Sequence, residues 1–206
     1  MRLYLVLSVI VVALFAGCAE EGPPDGDAIR GVGPAEAAAK DWAPDAFLVA
    51  ALTQEKPAET KGPLGDGIAE VWGYLFESDQ KEGHVALGVS KAGEVVAANE
   101  FDVPAGEHRL VRPFGGGAPL GEWTVGSAEV GDALADTLPG YRDFMEQDDI
   151  EVLMVLYQDE AHGGAVWAVE VREVERTAEL ALEARIDAVT GEFLELRGDP
   201  RMTGEG

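Results

Sequence analysis

Apolar residues fall into three patterns along this chain: one almost wholly apolar run at the start, alanine-rich stretches, and segments in which apolar and polar positions alternate. The first run is Leu3 to Phe15, interrupted only by Ser8, preceded by Met1 and Arg2 and followed by Ala16, Gly17 and Cys18. A positive start, a short apolar stretch and small residues before a cut make up the layout of an export signal. A spanning helix needs roughly 20 apolar residues, and Glu20 and Glu21 end this run too early. After the signal, residues 18–34 are rich in Gly, Pro and acids with little to bury, and read as a flexible tether.

The pattern changes at Ala35. Ala35 to Lys40 are strong helix formers, and Pro44 to Leu52 read as a second helix with proline in its first turn. Turn formers from Lys56 to Gly67 then close a helical unit. From Ile68 to Phe76 the period shifts to two: Trp72, Tyr74 and Phe76 alternate with Val71, Gly73 and Leu75, as in a strand. Val85 to Val89 make a second strand, and Glu94 to Ala97 a third after a turn at Gly93.

A Pro/Gly-rich connection from Pro104 to Gly121 leads to a second pass of similar order. Ser127 is the expected N-cap of a helix reaching about Thr137, with Glu129 and Val130 in its first turn. Strands are expected at Ile150 to Tyr157, Ala165 to Val171, Glu179 to Asp187 and Phe193 to Leu196. The third of these has the composition of a helix, but Leu180, Leu182, Ala184 and Ile186 alternate with polar neighbours. Lys91 to Val96 and Val189 to Leu194 each contain a Gly-Glu hairpin near the end of a half, which suggests a diverged duplication.

The expected organisation is a signal at 1–17, the tether at 18–34, a first half at 35–112, a connector at 113–122, a second half at 123–197 and a disordered tail at 198–206. The expected class is α+β, with helices packed on antiparallel sheet and three strands in the first half against four in the second.

Charge narrows the partners. The formal net charge is −24, a surface that repels phosphate backbones and anionic lipid heads, so nucleic acid is a poor partner. Solubility alone accounts for such acidity; attraction of a basic partner or of divalent cations is the alternative. Cys18 is the sole cysteine, so no internal disulfide can form.

Catalytic patterns are wanting. His84, His108 and His162 show no i, i+4 pair for zinc, and His84 and His162 read as solvated loop residues near strand ends. There is no Gly-x-Ser-x-Gly elbow, and Gly115-Gly116-Gly117 lacks the Gly-Lys-Ser/Thr that cradles phosphate. Asp148-Asp149 and Asp159-Glu160 do not match a calcium loop, and with 39 acidic residues a close carboxylate pair carries no information. The chain therefore reads as no enzyme, with no cofactor and no metal, and an unrecognised hydrolase is the least favoured alternative. Trp72, Tyr74 and Phe76 share one sheet face; they are the one candidate recognition surface, unless the helices of the first half cover them, which the reading favours.

Two resemblances follow. Leu14-Phe15-Ala16-Gly17-Cys18 is similar to the lipobox of bacterial lipoproteins, with Phe15 where leucine is usual. That resemblance implies cleavage before Cys18 and acylation of its thiol, hence an extracytoplasmic protein tethered to a membrane by lipid. Ala19, in place of a retention-type Asp, points to the outer membrane if the host has two. The second half resembles a PepSY-type domain through Trp167-Ala168-Val169 and the stretch Ala184 to Glu192, whose Asp-Ala-x-Thr-Gly-Glu turn has Asp187 to cap backbone donors and Gly191 for the strained position. The first half is more loosely similar, through Ala46, Trp72-Gly73-Tyr74 and Gly93-Glu94. Related tandem helix-sheet arrangements occur in the beta-lactamase inhibitor protein. These resemblances imply a binding or regulatory module whose partner is an unidentified protein, such as a protease or another secreted enzyme, or else a structural lipoprotein of an envelope complex.

Overall fold

In the computed structural model, which describes residues 22–55, 64–115, 117–147, 149–173 and 180–203, helix followed by a four-stranded antiparallel meander occurs twice. Helix α1 (Ala28–Trp42) precedes β1 (Phe47–Glu55), β2 (Val71–Glu77), β3 (His84–Ser90) and β4 (Val95–Phe101). Helices α2 (Ser127–Thr137) and α3 (Tyr141–Met145) precede β5 (Ile150–Asp159), β6 (Gly164–Glu173), β7 (Leu180–Asp187) and β8 (Phe193–Gly198), and a short α4 (Pro200–Thr203) follows. All eight strands form one sheet in the order β4-β3-β2-β1-β5-β6-β7-β8. The meanders meet through their first strands, β1 and β5, paired antiparallel from Ala50↔Tyr157 to Glu55↔Val152.

The α+β class stands, but the second helix expected at Pro44 to Leu52 is strand β1. As a central strand it is buried on both faces, with Val49 through Thr53 in a continuous buried run. An unbroken apolar stretch has no period from which to tell strand from helix. With β1 restored each half has four strands, and the inequality expected between the halves disappears.

The tether is shorter than expected, since α1 begins at Ala28 and runs through Pro34. Its start is set by tertiary partners. Trp72 Nε1 donates to Gly26 O at 2.7 Å, and Tyr74 Oη donates to Ala28 O at 2.6 Å. Gly31 lets the Tyr74 ring lie against the helix, because a Cβ there would fall 2.1 Å from the phenol oxygen. In the second half Trp167 Nε1 donates to Val125 O at 2.9 Å. Gly26 and Val125 each stand one residue before a helix N-cap, and Trp72 and Trp167 lie in the second strand of each half.

The two helix starts cap one another. Asp27, 3% exposed, is the N-cap of α1: Oδ1 accepts from Ile29 N at 2.7 Å, while Oδ2 accepts from Ala128 N of α2 at 2.9 Å. In return Ser127 Oγ accepts from Ala28 N at 3.0 Å. Ser127 is thus the first residue of α2, not its N-cap; Gly126 occupies that position. Gly126 has no side chain to cap with, and a Cβ there would lie 2.6 Å from Asp27 Oδ2. Glu129 completes the start by accepting from Gly126 N at 2.7 Å. A carboxylate between two helix N-termini meets both positive dipole ends.

The helices cover one face of the sheet. Ala35 and Ala39 of α1, Val130 and Leu134 of α2, and Tyr141 and Phe144 of α3 pack with Trp72, Tyr74, Phe76, Met154, Trp167, Val169 and Ile186 in one core. A smaller core lies on the opposite face, where Ala105 and Val111 pack on Val49, Leu52, Leu75, Val155, Tyr157 and Ala168. The Pro/Gly-rich connection is therefore more than a linker: its short turns at Ala105–Glu107 and Arg112–Phe114 close over the middle of the helix-free face. The tail is ordered through Thr203, since Met202 is fully buried and Gly140 N donates to its carbonyl at 2.9 Å. Residues 204–206 fall outside the described residues.

Candidate functional site

Trp72, Tyr74 and Phe76 do share a face, but it is the helix-covered one, and they are only 2%, 0% and 1% exposed. They are core, so the row offers no recognition surface. Desolvation raises the Tyr74 phenol well above its ordinary value, with Asp27 adding to the effect. Cys18 lies outside the described residues.

Register defines the helix-free face strand by strand. One row of paired residues crosses the whole sheet: Ala97, Gly88, Gly73, Leu52, Val155, Ala168, Arg185 and Glu195. The connection covers its middle. At the β4 end the exposed surface is small and apolar; at the β8 end it is charged.

At the charged end Arg185 stands 3.7 Å from Asp159 and 3.8 Å from Glu195, and Arg197 bridges Glu195 at 2.5 Å and Glu183 at 3.6 Å. Tyr157 Oη meets Asp159 at 3.5 Å, and burial pushes its phenol up to about 12. A cleft of about 220 Å³ beside the connection is lined by Gln54, Arg109, Phe114, Glu151, Glu170 and Arg172. It mixes both signs of charge, with Arg172 bonded to Glu170 at 2.5 Å.

The β7–β8 turn takes the expected form. Asp187 Oδ1 accepts from Val189 N at 2.9 Å and Thr190 N at 2.7 Å, and Gly191 has φ +74. Sequence reasoning missed the partner of the other carboxylate oxygen: His162 Nε2 lies 2.7 Å from Asp187 Oδ2. The His162 hydrogen bond, with the two backbone donors behind it, holds this carboxyl far below the usual range. Asp159 caps the preceding turn by accepting from Ala161 N and His162 N at 2.9 and 3.3 Å.

His84 differs from expectation. It is the first residue of β3, fully buried, stacked on Phe101 at 4.7 Å and edge-on to His108 at 5.8 Å. Its Nδ1 lies 2.6 Å from Val103 O, so the ring is a donor that pins the chain as it leaves β4. Burial, with His84 and Arg109 nearby, lowers the His108 imidazole. Among the described residues no three His, Cys, Asp or Glu side chains converge to hold a metal ion. No described helix is long and apolar enough to cross a membrane.

No family model matches the chain, and no curated protein matches it. Among solved structures it is similar to one from Clostridium difficile 630 described as a candidate lipoprotein, at 13% identity, with 79% of this chain and 89% of that chain covered and a TM-score of 0.40.

Proposed function

We propose that this chain is a non-catalytic lipoprotein of the cell envelope, held by acylated Cys18, whose two PepSY-like halves form one platform that binds and regulates a secreted or envelope protein. Inhibition or escort of that protein is the role proposed. The observation that carries the binding reading is the helix-free face: helices bury the other side from β3 to β7, while here only the middle is covered. A broad sheet surface with fixed charges suits a protein partner better than a small molecule, which needs a concave site. The equivalent tryptophan bonds, the Gly-Glu turns between third and fourth strands, and the four-strand count of each half support descent of the halves from one unit.

The test has two parts. Cys18→Ser should free the protein from membranes, and a variant that still sediments with them overturns the lipoprotein reading. Capture of the full chain from detergent-solubilised membranes should recover one protease or hydrolase, and Arg185→Gln, which removes the cation without adding a third acid beside Asp159 and Glu195, should sharply reduce recovery with melting little changed. Arg185 is half-buried and its two ion pairs are long, at 3.7 and 3.8 Å, so its guanidinium retains hydrogen-bonding capacity for a partner. A second reading, a structural lipoprotein of an envelope complex, is favoured by the bare edge at β4; recovery of assembly components in place of an enzyme would select it.

A further inference from the structure

The two edges of the sheet differ in a way that assigns one of them a use. β8 is six residues long, carries Glu195 and Arg197 in ion pairs, and runs directly into α4. Charge, shortness and a terminal cap are the usual protections of an edge strand. β4 has less of this, namely one ion-paired acid, Glu100, and one bulge at its start. All seven of its residues are exposed, and it holds no Pro, Lys or Arg. Four of the eight exposed large hydrophobics, Val95, Val96, Phe101 and Val103, lie on it or just beyond its end. Its one irregularity leaves Val96 without a β3 partner, while Ala97 to Phe101 pair in unbroken register with Gly88 to His84. His84, buried beneath Phe101 and bonded to Val103 O, fixes the end of the strand.

Charge says which strand could be added. The strand, apolar but for Asn99 and Glu100, is bounded by Glu94 and Asp102, and among the described residues no cation is paired with either; Glu100 is bridged by Lys81 at 2.8 Å. A second copy is a poor occupant. Antiparallel pairing of two β4 strands about Ala98 sets Glu94 against Asp102 at both ends, and parallel pairing in register sets each acid beside itself. Like charges directly opposite destabilise a strand pair. A strand with an uncharged, alternating middle and basic ends satisfies the free backbone groups, the apolar side chains and both acids together.

We infer that β4 is a strand-addition site for an extended segment of a partner protein, uncharged in its middle and basic at both ends. This rests on the reading of the chain as a binding module and names the kind of segment it binds. Backbone bonds along the edge give such additions affinity, and flanking charge gives them selectivity.

The test is hydrogen–deuterium exchange of the full lipidated chain in nonionic detergent. The probe is a heptapeptide of alternating threonine and valine with lysine at each end, and its counterpart has glutamate at each end. The lysine-ended peptide should slow exchange across residues 95–101 by roughly tenfold, the counterpart should not, and residues 193–198 should be unaffected. Glu94→Lys with Asp102→Lys should invert the preference between peptides, a result that simple damage to the strand cannot produce. Equal protection by both peptides, protection at β8 alone, no protection by either, or concentration-dependent protection of β4 without peptide each overturns the assignment. Protection of β4 with no partner captured from membranes would sink the regulatory reading and leave the edge assignment standing; the converse pair of results would do the reverse.

Discussion

Replacing Asp27 by alanine should destabilise this protein far more than loss of an ordinary helix cap. A single N-cap side chain contributes about 1 kcal/mol, within a range of roughly 0.5–2. Asp27 supplies two, to Ile29 N of its own helix and to Ala128 N of α2, whose N-cap Gly126 has none to offer. A charge at a partly buried helix start adds up to about 2 kcal/mol through the dipole, and here one charge serves two starts. Asp27→Ala should therefore cost about 3 kcal/mol, measured by urea unfolding of a chain beginning after the signal. For a domain of this size that lowers Tm by roughly 6–12 °C. Asp27→Asn keeps one accepting oxygen and turns its amide NH2 towards the second donor, so it should fall between wild type and alanine. Native-state exchange gives the sharper readout: the Ala128 amide should lose protection along with that of Ile29. A cost near 1 kcal/mol with Ala128 still protected would refute the shared cap.

Gly126→Ala, which the backbone admits at φ −74, should destabilise by about 1–3 kcal/mol in the same unfolding assay, because its Cβ displaces the Asp27 carboxylate. Trp72→Ala should cost about 3–5 kcal/mol, whereas Trp72→Phe, which keeps most of the ring volume and leaves Gly26 O with the Ala69 N–H as its remaining donor, should cost about 1–2. Asp187 has a folded pKa below its unfolded one, so its contribution is complete above the unfolded value near pH 4 and drains away as pH falls through the folded value. Asp187→Asn should therefore lower Tm at neutral pH and flatten the loss of Tm on the acid side; parallel acid limbs for wild type and variant would contradict this.

Where burial is one-sided, the strands were legible as alternation. Leu180, Leu182, Ala184 and Ile186 overrode a helical composition in β7, since a half-buried strand must alternate whatever its propensities. β1 was illegible for the opposite reason, being central and apolar on both faces. α1 was hidden at its start because Gly31, Gly33 and Pro34 read as breakers, while its stability comes from Trp72 and Tyr74 more than 40 positions on. Local propensity cannot report a helix whose first turn is held by distant aromatic groups.

The site was less legible still, and its two ends show why. Asp187 and Gly191 could be placed from spacing, because a turn is built from neighbours; the His162 imidazole that completes Asp187 comes from 25 positions away and left no pattern. The aromatic row was legible both as face-sharing residues and as the face that helices cover, although the start of the helix that covers it was misread. What separates the helix-free face into a bare apolar end and a charged end is strand order alone: placing β1 beside β5 puts the last strand of each half at an outer edge. One of those strands reads VVAANEF and the other FLELRG. Once the edges are known, the contrast between an unprotected strand and a charged one is plain in the letters. If the asymmetry has a use, exchanging Val96 and Ala98 of β4 for lysine should leave stability within about 0.5 kcal/mol, as at any exposed position. A large loss of stability would mean instead that β4 is held by packing, and that its apolar side chains need no partner to explain them.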